Sequence, residues 1–255
     1  MKLSILVPAY NESPSIGKLL DRLVNLQLPE YEVVIVDDGS IDNTADIVRQ
    51  FIQAYPNMRF FQQPTNQGKT SAIARAIVES TGEVLIIQDA DLEYDPAEII
   101  EVIDPILKGQ ADVVYGSRFM VKKAARVLYF YHYLANKLLT LLSNLLTNRN
   151  MSDIETCYKA FRGEVIRPLC LKSRGFGMEI EITAMICKTI ARTYEVPISY
   201  YGRTYEEGKK IGVRDGIAAL WYIFYFNLLF PWTRPCREYV QRVNASLAEL
   251  RSLES

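Results

Sequence analysis

The chain is poor in soft metal ligands: it has one histidine, His132, and four cysteines, Cys157, Cys170, Cys187 and Cys236, with no C-x-x-C pair. A zinc site or a disulfide frame therefore lacks a ligand set, and reduced thiols are expected. No G-x-G-x-x-G follows the first apolar run and no G-x-x-x-x-G-K-[ST] occurs, which removes the common nucleotide cradles. No uninterrupted apolar run reaches the roughly 18 residues of a membrane span. The net charge is -1, so there is no positive excess for general nucleic-acid binding. Repeats and low-complexity segments are missing as well, and Met1 to Val7 are too short for a signal peptide and lead straight into a strand pattern. What remains is a chain of 255 residues, 49% hydrophobic and 23% charged, long enough for one large domain or two small ones.

Strand and helix patterns alternate through the first half. Leu3 to Val7 reads as a strand, and Ser13-Pro14 offers an N-cap and first helical residue for a helix with Ile16, Leu19, Leu20, Leu23 and Val24 on one face. Strands are expected at 32–36, 59–61, 84–87 and 112–115, with helices near 43–54, 69–80 and 96–108 between them. Units of this length imply an α/β fold with a mostly parallel sheet and helices on both faces. Ligands of such sheets bind beyond the carboxyl ends of the strands.

Polar loops fall at those ends. They are Pro8-Ala9-Tyr10-Asn11-Glu12, Asp37-Asp38-Gly39-Ser40, Asn66-Gln67-Gly68-Lys69, Gln88-Asp89-Ala90-Asp91-Leu92-Glu93 and Gly116-Ser117-Arg118. In an extended segment Asp89, Asp91 and Glu93 would point the same way and converge on one hard cation, Mg2+ or Mn2+. Each loop alone also fits ordinary turn or capping chemistry. Together they predict one site.

In this order the motifs resemble the family 2 glycosyltransferases of GT-A fold, and within them the dolichol-phosphate mannose synthase type. The resemblance runs to about residue 212 and implies a GT-A catalytic domain over 1–212, with a helical insertion at 118–150 and a C-terminal apolar and amphipathic part over 213–255. It implies a nucleotide-sugar donor held by Pro8, Tyr10, Glu12, Asp37, Asp38, Gly68, Lys69 and Asp89. A divalent cation on Asp89, Asp91 and Glu93 would serve the leaving diphosphate. Asp91, Arg118 and Arg203 are the expected catalytic set, and the implied acceptor is a polyprenyl phosphate. Arg118, His132, Asn136, Arg203 and either Lys209 or Lys210 would hold its phosphate. His132 and Asn136 stand where many relatives have Arg and Ser.

Two apolar stretches, 127–146 and 217–232, are flanked by cations and carry Trp and Tyr. They suit either a membrane surface, at its cytoplasmic face, or packing on the domain or on a second subunit. A hydroxyl acceptor is the alternative to a lipid phosphate and would need a base, for which Asp153, Glu155, Glu179 and Glu181 are available. Beyond enzymes, a silent nucleotide or lipid binder would keep the fold.

Overall fold

The computed structural model describes residues 1–120, 126–127, 129–175, 177–202 and 213–254, and in it the apolar runs lie side by side in one sheet. The strands are β1 (Leu3–Ala9), β2 (Tyr31–Asp37), β3 (Met58–Gln62), β4 (Val84–Ile87), β5 (Val113–Ser117), β6 (Lys159–Arg162) and β7 (Thr193–Pro197). Their order is β3-β2-β1-β4-β6-β5-β7, and all neighbours are parallel except β6, which runs antiparallel between β4 and β5. The expected mostly parallel sheet is present; the reversed β6 is an addition.

Alternation along each strand sends side chains to opposite faces. Ile5 and Val7 of β1 and Ile86 of β4 join one core; Leu6, Leu85 and Ile87 join the other. The first core is covered by α1 (Ile16–Val24), α2 (Thr44–Ala54) and α4 (Ile99–Leu107), the second by α3 (Lys69–Glu79), α6 (Gly163–Ile166) and α7 (Gly177–Ile186). In α1, Ile16, Leu19, Leu20 and Leu23 are fully buried, a contribution of roughly 1.5–3 kcal/mol each.

Helix α1 starts later than the Ser13-Pro14 signal suggests. Ser15 and Ile16 both donate backbone N–H to Glu12 O, at 3.0 and 2.8 Å, and Asp42 takes the Ser13 N–H at 3.1 Å. Pro14 thus sits in a turn, and Ser15 is the N-cap.

After β5 come α5 (Phe130–Thr147) and, late in the chain, α8 (Val213–Phe224), a π-helical turn (Tyr225–Leu229), a 3-10 turn (Phe230–Trp232) and α9 (Arg234–Glu254). Residues 213–254 share the second core: Ala219, Ile223, Phe226, Phe230, Tyr239, Val243 and Leu247 are buried in it. The Tyr239 hydroxyl donates to Val165 O at 3.1 Å, and Arg251 reaches Asp112 at 2.9 Å, which clamps α9 to the start of β5. The same stretch keeps an apolar outer face, with Ile217, Trp221, Phe224, Leu228, Leu229 and Trp232 exposed; α5 adds Phe130, Tyr131, Leu134, Leu138, Leu141 and Leu145. Among the described residues no single helix is long and apolar enough to cross a membrane. Asp215–Trp232 and Arg234–Leu253 qualify only as a pair, and that pair is bent by 83°.

Candidate active site

From β1 the chain steps to β2 and then β3 on one side, whereas β4 lies on the other side of β1. Loops leaving β1 and β4 therefore diverge, which opens a crevice at their carboxyl ends. The crevice is part of a cavity of about 1140 Å³ lined by Pro8, Tyr10, Glu12, Asp38, Gly68, Lys69, Asp89, Asp91, Glu93, Arg118, His132 and Asn136. Twelve residues singled out in the sequence thus share one wall system. Arg203, Lys209 and Lys210 lie outside the described residues, as does the expected boundary at 212.

Asp38 builds the donor-side rim. It accepts from Gln63 Nε2 at 2.7 Å and from the backbone N–H of Gln67 and Gly68 at 2.9 and 2.7 Å, which fixes the loop that starts α3. Gly39 follows at φ 71, and a Cβ there would lie 2.7 Å from the Thr65 carbonyl carbon. Only glycine meets both demands. Asp37 differs from expectation: it is fully buried, off the cavity wall, and accepts from Gln62 Nε2 at 2.9 Å and from Ser40 Oγ. Its carboxylate holds the turn together.

The acidic triplet is arranged otherwise than an extended strand would place it. The chain turns at Leu92, with φ 60, and Glu93 N–H donates to Asp91 Oδ1 at 3.1 Å. Glu93 accepts the Tyr200 hydroxyl at 2.9 Å, while Lys69 Nζ lies 2.7 Å from Asp89 Oδ1. Among the described residues no group of three His, Cys, Asp or Glu is placed to hold a metal ion. All three carboxylates line the cavity, Asp89 paired with a lysine and Glu93 with a tyrosine.

Below them lies a buried ionic floor. Lys69 also donates to Cys157 Sγ at 3.0 Å and stands 3.8 Å from Glu179 Oε1. Burial opposes the ammonium charge, yet Asp89, Cys157 and Glu179 outweigh it and hold Lys69 well above the ordinary lysine value. For Glu155 the balance is the reverse: burial and the Glu179 carboxylate outweigh Lys159 and Arg118 and push it up to about 8.

Arg118 is expected to face phosphates, and it does line the cavity. Its guanidinium is nevertheless committed to Asp153: Nε donates to Oδ2 and Nη2 to Oδ1, both at 2.7 Å, with the Arg118 N–H adding 3.1 Å. Burial disfavours the Asp153 carboxylate, but Arg118 overrides it and lowers the pKa. Arg118 also stacks on Tyr200 at 5.2 Å. Tyr200 packs on Tyr94 at 5.4 Å, and those two residues bridge the Glu93 and Tyr201 segments, where Tyr201 N–H donates to Glu93 O at 2.9 Å. Of the four carboxylates available as a base, Asp153 is neutralised by Arg118, and Glu181 accepts the Lys172 and Ser173 N–H groups. Glu155 and Glu179 line the cavity.

On the acceptor side His132 packs edge-on against Tyr129, and Asn136 Nδ2 donates back to His132 O at 2.9 Å. Arg126 Nη1 donates to Gly202 O at 2.9 Å. Ala135, Leu138, Leu139, Ile217 and Leu220 from α5 and α8 continue the lining. Tyr94 and Cys157 belong to the site without having been singled out for it; the place of Tyr94 directly after the acidic triplet was the available signal.

The family model for glycosyl transferase family 2 matches residues 4–169. The chain is 31% identical over 215 residues to a dolichol-phosphate mannosyltransferase of Pyrococcus furiosus, covering 83% of this chain and 60% of that one. It is 27% identical over 241 residues to an undecaprenyl-phosphate mannosyltransferase of Micrococcus luteus, covering 87% and 96%. In fold it is similar to glucosyl-3-phosphoglycerate synthase from Mycobacterium tuberculosis, solved with Mn2+ and UDP-glucose, with a TM-score of 0.68 at 18% identity over 89% of this chain and 79% of that one. Mannosyl-3-phosphoglycerate synthase from Rubrobacter xylanophilus aligns equally well, at TM-score 0.68 and 17% identity over 88% and 72%. The sheet and its helices are those of a GT-A glycosyltransferase.

Proposed function

Since the chain belongs to glycosyl transferase family 2, we propose that it moves a hexosyl group from a nucleotide diphosphate sugar to a polyprenyl phosphate at the cytoplasmic surface of a membrane. One observation carries this reading: a single cavity joins the β1 and β4 loops, with their carboxylates, to the apolar helices α5 and α8. A polar donor and a greasy acceptor each find a matching half. The names of the Pyrococcus and Micrococcus relatives support the same pairing.

Asp89 and Asp91 supply oxygen-only ligands of the kind Mg2+ and Mn2+ take, with Glu93 as a third within the same lining. Two carboxylates suffice when substrate phosphates and water complete the shell. Such an ion supplies neutralisation of the charge that builds on the departing diphosphate.

The chain's own residues hold the partners. Pro8, Tyr10, Glu12 and Asp38 border the base and ribose, and the N-terminus of α3 at Gly68 favours a diphosphate nearby. Lys69 offsets Asp89 at the floor. Arg126, His132 and Asn136 lie on the way to α5, where an acceptor phosphate would rest. Transfer follows by in-line attack: a phosphate oxygen bonds to the anomeric carbon as the bond from that carbon to the diphosphate breaks, and the configuration inverts. The attacking phosphate is already an anion, so no base is needed. A hydroxyl acceptor would need one, for which Glu155 and Glu179 stand in the cavity wall. The deciding assay offers labelled nucleotide sugars, Mg2+ or Mn2+ and polyprenyl phosphate; organic-extractable label supports the proposal, and label only on a water-soluble acceptor refutes it.

A further inference from the structure

The ammonium of Lys69 has a seat and a second seat within reach. Its Nζ stands 2.7 Å from Asp89 Oδ1 and 3.8 Å from Glu179 Oε1. The Cys157 thiol touches both, accepting from Lys69 Nζ at 3.0 Å and donating to Glu179 Oε1 at 3.4 Å. Lys69 is the first residue of α3, so the helix fixes its backbone while the flexible aliphatic stem lets the charged end swing. The Asp89 side chain is 13% exposed and open to an entering ion; that of Glu179 is 3% exposed and depends on partners within the protein. Glu179 is the worse served of the two, because its Oε2 is buried without a hydrogen-bond partner. A buried carboxylate oxygen left unpaired is costly, and a charge-assisted bond from a nearby ammonium relieves it.

A divalent cation arriving on Asp89 would meet the ammonium already there. Two cations on one carboxylate repel strongly at a separation of a few ångströms in a crevice of reduced dielectric. Burial opposes the charge on Lys69, but Asp89 leads the neighbours that hold it well above the ordinary lysine value, so Lys69 yields by moving rather than by losing its proton. We infer that Lys69 is a displaceable stand-in for the divalent cation: it holds Asp89 until the ion arrives and then passes to Glu179. The inference rests on the proposed cation site at Asp89 and Asp91. Lys69 is then a positioning residue that acts through Asp89. It lowers the affinity for the bare ion and keeps the crevice compensated while the ion is absent.

The test is the binding of Mn2+ alone, without nucleotide, followed by the electron paramagnetic resonance of the free ion, with melting curves recorded with and without Mn2+. Wild type, Lys69→Gln, Glu179→Gln and the double variant are compared. Lys69→Gln is expected to bind Mn2+ about tenfold or more tightly than the wild type, since the competing charge is gone. It should melt below the wild type without Mn2+ and recover most of that loss when the ion is added. Glu179→Gln removes the second seat and should weaken Mn2+ binding about tenfold, whereas the same change made in Lys69→Gln should weaken it by less than about threefold, the long-range share of the lost charge. Mn2+ binding by Lys69→Gln no tighter than by the wild type overturns the inference, and so does a Glu179→Gln effect of equal size in both backgrounds. Glu179→Gln leaves Lys69 paired with Asp89, so it keeps the test decisive if Lys69→Gln does not fold without the ion: an unchanged Mn2+ affinity in Glu179→Gln overturns the inference. Those outcomes leave the cation site standing. Absence of Mn2+ binding in all four proteins, with UDP or GDP added as well, overturns the site and the inference together.

Discussion

Asp153→Asn separates a structural from a catalytic role for the most buried carboxylate near the cavity. The Asp153 side chain is 0% exposed and that of Arg118 is 9% exposed, and two 2.7 Å bonds join them in parallel. Removing the negative charge leaves a buried guanidinium uncompensated, a loss of about 3–5 kcal/mol for pairs of this kind. Asn keeps one acceptor oxygen, so the lower end applies. For a chain of this size each kcal/mol moves the melting temperature by roughly 2–4 °C, which puts the expected fall at about 6–12 °C. The acid dependence gives a second reading. Asp153 titrates below its ordinary value because of Arg118, so the stability it contributes is present above the ordinary carboxylate range and is lost as pH falls through the lowered value. Thermal unfolding followed by circular dichroism from pH 7 downward should show the gap between wild type and variant closing in acid. A variant that melts within a degree of wild type at pH 7, or a gap that stays constant with pH, refutes the argument; unchanged melting with abolished transfer would make Asp153 a base.

Trp221 and Trp232 are 59% and 79% exposed on the apolar outer face. The double change to Ser should leave stability within about 0.5 kcal/mol while weakening sedimentation with anionic vesicles by roughly tenfold or more. Wild-type sedimentation should fall as salt rises, and absence of binding at low salt contradicts the membrane reading. Glu155 binds a proton more tightly in the folded than in the unfolded chain, so wild-type stability should fall as pH rises from the ordinary carboxylate range to about 8. Glu155→Gln should lose that slope, and matching pH profiles for the two proteins would show that the carboxyl is not buried as described. Gly39→Ala forces a left-handed residue against the Thr65 backbone and should destabilise by on the order of 1–3 kcal/mol, with weaker nucleotide binding through the Asp38 loop; unaltered melting would contradict it.

Strands β1, β2 and β4 were legible because they are short apolar runs buried on both faces. β6 was not: Lys159 and Arg162 stand at its ends, and both are buried only because tertiary partners receive them. Lys159 Nζ donates to the Ile154 carbonyl at 3.1 Å, and Arg162 lies beside Asp112. The general rule for sheet edges brought the loops together correctly. It could not foresee that Leu92 would reverse the alternation on which the three-carboxylate site depended, nor that Asp37 would turn inward to Ser40 and Gln62. The meeting of Glu155 with Glu179 depends on α7 folding against the loop before β6, which no local pattern encodes. The C-terminal stretch was ambiguous for a simple reason: α8 is apolar on two faces, one buried in the core and one exposed.

Transfer of a sugar to a lipid phosphate, as proposed, turns on the carboxylates at the end of β4. Wild-type protein and Asp91→Ala are each incubated with radiolabelled UDP-glucose or GDP-mannose, Mn2+ and a polyprenyl phosphate, and the organic phase is counted. Organic-extractable label is expected with the wild type and none with Asp91→Ala, whose melting temperature falls by no more than a few degrees for the lost Glu93 N–H bond. Equal label from both proteins, or label confined to the aqueous phase, would contradict it.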